Sequence, residues 1–223
     1  GYNDGNVLYY YSDNKGGYAE YTFDKAGNLT KKEDYTVNYD VTEYSFDALN
    51  RLKQVILPSG TTVQYGYDPD GHRVLQDVDG REQWFAFDGL SCVLEMDKDR
   101  KATSSIVPGI SRTRLDLKVP ITEYFLYDGL GSVTQLTDQW GNLTQEYQYD
   151  PFGAVQDNLK DRWNKYRFVG LAHDDITGLI NMNARWYDPT VGRFLSRDPV
   201  AGMMTDSQSI NLYPYVENNP INS

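Results

Sequence analysis

A short phrase, aromatic–x–aromatic–Asp, recurs along this 223-residue chain. It reads Tyr21-Thr-Phe23-Asp24, Tyr44-Ser-Phe46-Asp47, Tyr65-Gly-Tyr67-Asp68 and Phe85-Ala-Phe87-Asp88, then Phe125-Leu-Tyr127-Asp128 and Tyr147-Gln-Tyr149-Asp150. A degenerate copy opens the chain at Tyr2-Asn-Asp4, and Asp188 continues the series. Successive Asp positions from 4 to 150 lie 20 to 23 residues apart, except for an interval of 40 that reads as two periods with one copy eroded. Two strands of about six residues and two turns of about four fill one such period, so each period predicts a β-hairpin. The two rings of a phrase are two residues apart and face one side of the sheet. The Asp ends the strand and caps a turn, and Gly27, Gly71 or Gly153 supplies the left-handed residue, a place Asn50 takes after Asp47. The next strand restarts at Leu29, Leu52, Val74, Val133 or Val155. One hairpin cannot cover its own rings, whereas an array covers each copy with the next. The fold class is therefore all-β, built of repeated antiparallel hairpins.

Composition narrows the function classes. Basic residues number 21 against 32 acidic ones, a net charge of −11 that lacks the basic face nucleic-acid binding needs. No apolar run approaches the ~20 residues of a membrane helix. The one cysteine, Cys92, excludes an internal disulfide, and with two histidines it offers no transition-metal ligand set. Asp68/Asp70, Asp77/Asp79 and Asp97/Asp99 have the i, i+2 spacing of a calcium loop. After Asp68, however, His72 stands at the third ligand position and Asp79 where a bidentate Glu belongs, so that pattern fails. No cofactor is expected. The chain opens at Gly1 within a pattern, and we read it as a piece of a longer protein.

The later motifs carry a resemblance. They are Asp128-Gly-Leu-Gly131-Ser-Val133, Tyr147-Gln-Tyr149-Asp150-Pro-Phe-Gly153, Tyr166-Arg167-Phe168-Val-Gly170 and Ala184-Arg185-Trp186-Tyr187-Asp188-Pro189. Then follow Gly192-Arg193-Phe194-Leu-Ser196-Arg-Asp198-Pro199 and Asn211-Leu-Tyr213-Pro-Tyr215-Val-Glu-Asn218-Asn219-Pro220. In this order they resemble the last repeats and the Rhs repeat-associated core domain of the YD-repeat (Rhs) proteins, which include bacterial Rhs effectors, the C components of insecticidal toxin complexes, and teneurins. The resemblance implies a spiralling β-sheet that closes into a hollow shell around a C-terminal toxin. It also implies a core domain that plugs one end and acts as an aspartyl autoprotease, cutting after an Asp-Pro-x-Gly-Leu motif beyond Asn-Asn-Pro. The chain ends at Ser223 before such a motif, and Gly178 to Asn183 carries Asn and Met where the family has a tyrosine run.

Carried over from the core motif, the candidate catalytic residues are Arg185 and Asp198, with Asp188 as a second carboxylate. An Asp can activate water for amide attack when a neighbour tunes its ionisation, and an Arg can hold a carboxylate ionised or stabilise an oxyanion. Against this, Asp-Pro is a turn dipeptide, and Arg185 could simply pair with a turn Asp.

We expect two parts, a hairpin array over residues 1–156 and a core segment over 157–223. Residues 157–183 lack strand alternation, with a short helical stretch expected over 157–166 and a solvated turn at Asp174-Asp175. The six basic residues from Lys98 to Lys118 read as one eroded hairpin with a solvated face. The expected partners are the protein's own C-terminal cargo or a neighbouring YD-repeat chain, in a secreted or cell-surface protein. The alternative is an adhesion or fibre-forming module, in which ring stripes stack on glycans or open edges pair into a homo-oligomer. A hydrolase acting in trans fits least, since no substrate pocket is evident in the sequence.

Overall fold

A computed structural model of the chain describes residues 8–12, 17–36, 38–156, 163–198 and 212–215. The opening copy at residues 2–4, most of the helical stretch expected over 157–166 and the Asn-Asn-Pro segment lie outside these residues.

Fourteen strands form one antiparallel sheet in unbroken chain order. They are β1 (Tyr10–Ser12), β2 (Tyr18–Phe23), β3 (Leu29–Asp34), β4 (Asp40–Phe46), β5 (Leu52–Ile56), β6 (Thr62–Tyr67) and β7 (Arg73–Val78), then β8 (Arg81–Asp88), β9 (Ser91–Met96), β10 (Ala102–Val107), β11 (Ser111–Arg114), β12 (Ile121–Tyr127), β13 (Val133–Thr137) and β14 (Leu143–Glu146). Among the described residues the sheet does not close, and β1 and β14 stand at its two ends. A short 3-10 turn, Phe168–Gly170, precedes the second sheet.

The turns are built as the repeat predicts. Asp24 accepts from the backbone N–H of Asn28 at 2.8 Å, while Gly27 N donates to the Asp24 carbonyl at 3.0 Å. The same carboxylate-to-backbone cap recurs at Asp47, Asp68, Asp128 and Asp150. It also appears at Asp97 and Asp138, outside the ring–Asp series. Asp88 differs: it stays in the ladder opposite Ser91. At Gly153 the backbone has φ 90°, and a Cβ there would strike the Phe168 ring.

One device follows these turns. In seven hairpins the pairing register shifts as the second strand begins, leaving Thr30, Lys53, Val74, Val93, Thr103, Thr134 and Thr144 without a partner in the ladder. These are β-bulges, which follow naturally from a turn closed by a left-handed residue. At Thr30, Thr134 and Thr144 the hydroxyl donates to the carbonyl of Thr22, Leu126 and Leu136, respectively, at 3.0 to 3.2 Å. The bulge changes the inward period from two to three. The buried pairs are Leu52/Val55, Arg73/Gln76, Cys92/Glu95 and Val133/Leu136. Val74, read from sequence as the restart, is therefore the bulge, and Arg73 takes the inward place.

The first rings of all six phrases, Tyr21, Tyr44, Tyr65, Phe85, Phe125 and Tyr147, are buried. They share one face of the sheet, but neighbouring hairpins are not their only cover. A second antiparallel sheet, β15 (Ala172–His173), β16 (Ile180–Met182), β17 (Arg185–Asp188) and β18 (Arg193–Phe194), packs on that face. Leu179, Trp186 and Leu195 join Tyr21, Tyr44, Tyr65, Leu52, Val55 and Val63 in one core. Strands thus occur within the stretch expected to be irregular. Several hydrogen bonds fasten the two sheets: Trp186 Nε1 donates to the Tyr67 hydroxyl at 2.9 Å, Leu29 N to Leu195 O at 2.8 Å, and the Tyr213 hydroxyl to Gly27 O at 2.9 Å.

Candidate functional site

Arg185 opens β17, and Asp198 lies four residues beyond β18. Their side chains meet in an ion pair, Nη2 to Oδ2, at 2.7 Å. Three further contacts set this geometry. Arg185 Nη1 donates to Leu212 O at 3.1 Å, the Asp198 backbone N–H donates to the same carbonyl at 3.0 Å, and the guanidinium lies 3.6 Å from the Phe194 ring centroid. Burial pushes the Arg185 pKa below its ordinary value, and the Asp198 charge opposes that shift. The pair borders a groove that also contains Asn28, Leu49, Asn50 and Ser196, so the β3 and β5 ends of the large sheet form its other wall.

Asp188 does something else. At the end of β17 it accepts from Thr190 N at 2.8 Å and from Thr190 Oγ1 at 2.5 Å, the turn cap expected of an Asp-Pro dipeptide. Its charge also reaches the ring row: burial, and after it Asp188, raises the pKa of Tyr21 and of Tyr44. The structure therefore brings Arg185 and Asp198 together and gives Asp188 separate partners.

Two sequence expectations are corrected beside this site. Asp174 is 4% exposed rather than a solvated turn residue. Its carboxylate accepts from the Tyr65 hydroxyl, from Gln76 Nε2 at 3.0 Å and from Ile176 N at 2.9 Å. The basic stretch is not uniformly solvated either. Arg112 is buried, ion-paired with Glu95, bonded to Ser104 Oγ at 3.1 Å and to the Trp163 carbonyl, and stacked 4.3 Å from the Trp163 ring. Sequence reading missed Arg73, Glu95, Lys165 and His173 as interior polar groups. For Arg73 and Glu95 the available signal was the three-residue spacing after the Asp turn, which points the residue before the bulge and the one three beyond it inward whatever their polarity; Lys165 and His173 follow no such turn.

Comparison with known proteins agrees with the fold. The Teneurin YD-shell family matches residues 122–221, and the RHS Repeat family matches residues 41–82. The tRNA3(Ser)-specific nuclease WapA of Bacillus spizizenii is 33% identical over 219 residues, 90% of this chain and 9% of that protein. The double-stranded DNA deaminase toxin A of Burkholderia cenocepacia is 26% identical over 254 residues, 98% of this chain and 17% of that protein. The chain thus spans a small fraction of the length of these relatives. Among solved structures, the Photorhabdus luminescens Tc holotoxin pore with a TccC3 mutation superposes with a TM-score of 0.62 at 20% identity, over 93% of this chain and 13% of that one. At that identity the likeness is one of fold. With the hairpin register, the buried ring row and the two family matches in agreement, the chain belongs to the YD-repeat (Rhs) family.

Proposed function

We propose that this chain is a wall segment in the encapsulating shell of a toxin-type protein, braced from inside by the β15–β18 sheet. The observation that carries the reading is the unbroken 14-strand meander whose ring face is covered by a second sheet of the same chain. Such an array grows by adding hairpins at a free edge, and the relatives named a nuclease and a deaminase toxin are several times longer than the region they share with this chain. The cargo in this reading is a C-terminal toxin of the parent protein, which is secreted or displayed at the cell surface.

The Arg185–Asp198 pair supports a self-cleavage step within the same reading. A water molecule attacks a backbone carbonyl of the protein's own chain, and Asp198 accepts the water's proton as general base. The proton passes to the leaving amine as the C–N bond breaks. Arg185 orients the Asp198 carboxylate and offers positive charge to the developing oxyanion. The fold supplies the substrate in place, so little of the rate has to come from binding.

The test is the intact mass of the full-length parent, wild type beside Asp198→Asn. Cleavage in the wild type and an uncut variant are expected. An uncut wild type sinks the protease step, and equal cleavage of both removes Asp198 from it. The shell reading stands or falls separately, on whether the parent keeps its C-terminal region protected from added protease.

A further inference from the structure

A cavity of about 140 Å³ lies between the large sheet and the β15–β16 segment, and it shares no lining residue with the Arg185–Asp198 groove. Its walls include Phe85, Phe87, Ile106 and Phe125. A cavity of about 150 Å³ lined by such groups accepts a benzene ring. Burial grades along it: Arg73 is 6% exposed, whereas Leu90, in the β8–β9 turn, is 72% exposed. Arg73 therefore belongs to the floor, and the turns carrying Leu90 and Pro108 form the mouth.

Two residues with side-chain donors line this apolar space. The first is the Arg73 guanidinium, stacked 4.4 Å from the Phe85 ring centroid. Its hydrogen bond goes to a neutral acceptor, Gln76 Oε1, at 3.3 Å; no described carboxylate forms a direct ion pair with it, and Gln76 stands between it and Asp174, to which Gln76 Nε2 donates at 3.0 Å. The second is Asn181 Nδ2, an amide donor that is buried and without a hydrogen-bond partner. Buried donors are normally satisfied, and an exception calls for a cause. The repeat itself sharpens the point. Leu29, Leu52 and Val133 fill the place that Arg73 occupies in its own hairpin, so the array folds with an aliphatic residue there. The charge is not demanded by the hairpin.

We propose that this cavity is a binding site for a small amphipathic carboxylate, one ring or a short branched chain in size. Its carboxylate sits on Arg73 and Asn181, and its apolar body lies among Phe85, Phe87 and Phe125. A planar guanidinium fork matches a carboxylate, and the surrounding rings exclude water from the contact. A neutral ligand would leave the guanidinium without a direct ion-pair partner, and a bare anion would leave the aromatic walls unfilled. The site does not depend on self-cleavage or on the cargo.

The test uses the full-length protein with phenylacetate as probe, read by saturation-transfer NMR and calorimetry. Phenylacetamide, a neutral isostere, and acetate, which lacks the ring, are the comparison ligands. Phenylacetate is expected to bind at least about tenfold more tightly than either, the margin a charge-assisted hydrogen-bonded pair gives. Arg73→Leu, which restores the residue type of the other hairpins, is expected to abolish that preference. Asn181→Ala weakens binding without touching the charge, and Ser91→Phe fills the cavity from its lining and blocks all three ligands. Equal binding of phenylacetate and phenylacetamide by the wild type, no binding of phenylacetate at millimolar concentration, or unchanged binding in both Arg73→Leu and Ser91→Phe would each overturn the proposal.

Discussion

The Tyr65 hydroxyl donates to the Asp174 carboxylate across 109 residues of chain, and both groups are buried. Tyr65 is the first ring of a repeat phrase, and Asp174 belongs to the segment between β15 and β16. The bond therefore joins the hairpin array to the small sheet that packs on it. Burial, then the Asp174 charge, raises the Tyr65 pKa well above its ordinary value, so the phenol remains the donor at any physiological pH. Tyr65→Phe keeps the ring, its place in the core and its stacking on Trp186, whose centroid is 4.4 Å away. It removes one charge-assisted hydrogen bond. The expected loss is about 1.5–3 kcal/mol of stability in urea unfolding. A loss below about 0.5 kcal/mol would mean that Asp174 is satisfied without the phenol.

Arg112 and Arg114 stand on one strand, two residues apart, and are expected to behave differently. Arg112 pairs with Glu95 in the interior, their side chains 4% and 2% exposed, whereas the Arg114–Asp116 pair at 3.0 Å is 35% and 43% exposed. Removing one partner of a buried pair strands a charge, and Arg112→Ala is expected to cost about 3–5 kcal/mol. Asp116→Asn breaks a solvent-screened pair and is expected to cost about 0.2–1 kcal/mol. The midpoints of denaturant unfolding compare the two directly. Equal effects would contradict the inward placement of Arg112.

Much of this architecture is legible in the chain. The ring–Asp period gives the hairpins, their turns and the common orientation of Tyr21, Tyr44, Tyr65 and Phe85, because period-two alternation and Asp turn capping are local rules. The bulges are harder to see. A bulge is specified by the left-handed residue before it and by pairing with the preceding strand, and its effect is to swap which neighbour faces in. Val74 is the better core residue by type, yet Arg73 is buried. The inner sheet was partly hidden for a different reason. Its strands are two to four residues long, too short for alternation to register, and tertiary contact with the ring row holds them. The Arg185–Asp198 pair was found only through the family motif, since Arg and Asp thirteen residues apart carry no local signal.

The buried His173 gives the fold an acid sensitivity of known sign. Its Nε2 accepts from Phe168 N at 3.1 Å, which requires an unprotonated nitrogen. Burial, with the nearby Arg167 charge, lowers its pKa well below the ordinary value. In the unfolded chain the ring takes up a proton near pH 6.5. Below that pH the unfolded state binds more protons than the folded one, so stability falls as pH falls until the folded pKa is reached. His173→Gln keeps an acceptor and removes the titration, and it is expected to flatten the stability profile between about pH 6.5 and 5. Asp138, held below the usual carboxylate range by hydrogen bonds from Asn142, contributes in a lower window. Its contribution is present above its unfolded pKa and lost as pH falls through the folded one, so the variant leaves that part unchanged. Parallel profiles for wild type and variant across pH 6.5 to 5 would remove His173 as the cause.

The bulge register makes a prediction about charge exchanged between equivalent places. Leu52 and Arg73 both precede a bulge and both face inward, yet one is aliphatic and 1% exposed and the other is a guanidinium among rings. Arg73→Leu replaces a buried charge that has no direct ion-pair partner among the described residues by a residue the same place accepts elsewhere in the array. Such exchanges are often neutral or stabilising, and we expect stability within about 1 kcal/mol of wild type or above it. Leu52→Arg runs the other way. It buries a charge in a core made with Val55, Val63 and Trp186. The expected cost exceeds about 3 kcal/mol, and the protein fails to fold if its margin is small. If Arg73→Leu instead costs more than about 2 kcal/mol, the guanidinium is a structural brace of the ring row rather than a group kept for a ligand. Denaturant unfolding of these two variants, read beside the phenylacetate titration, separates a binding residue from a packing one.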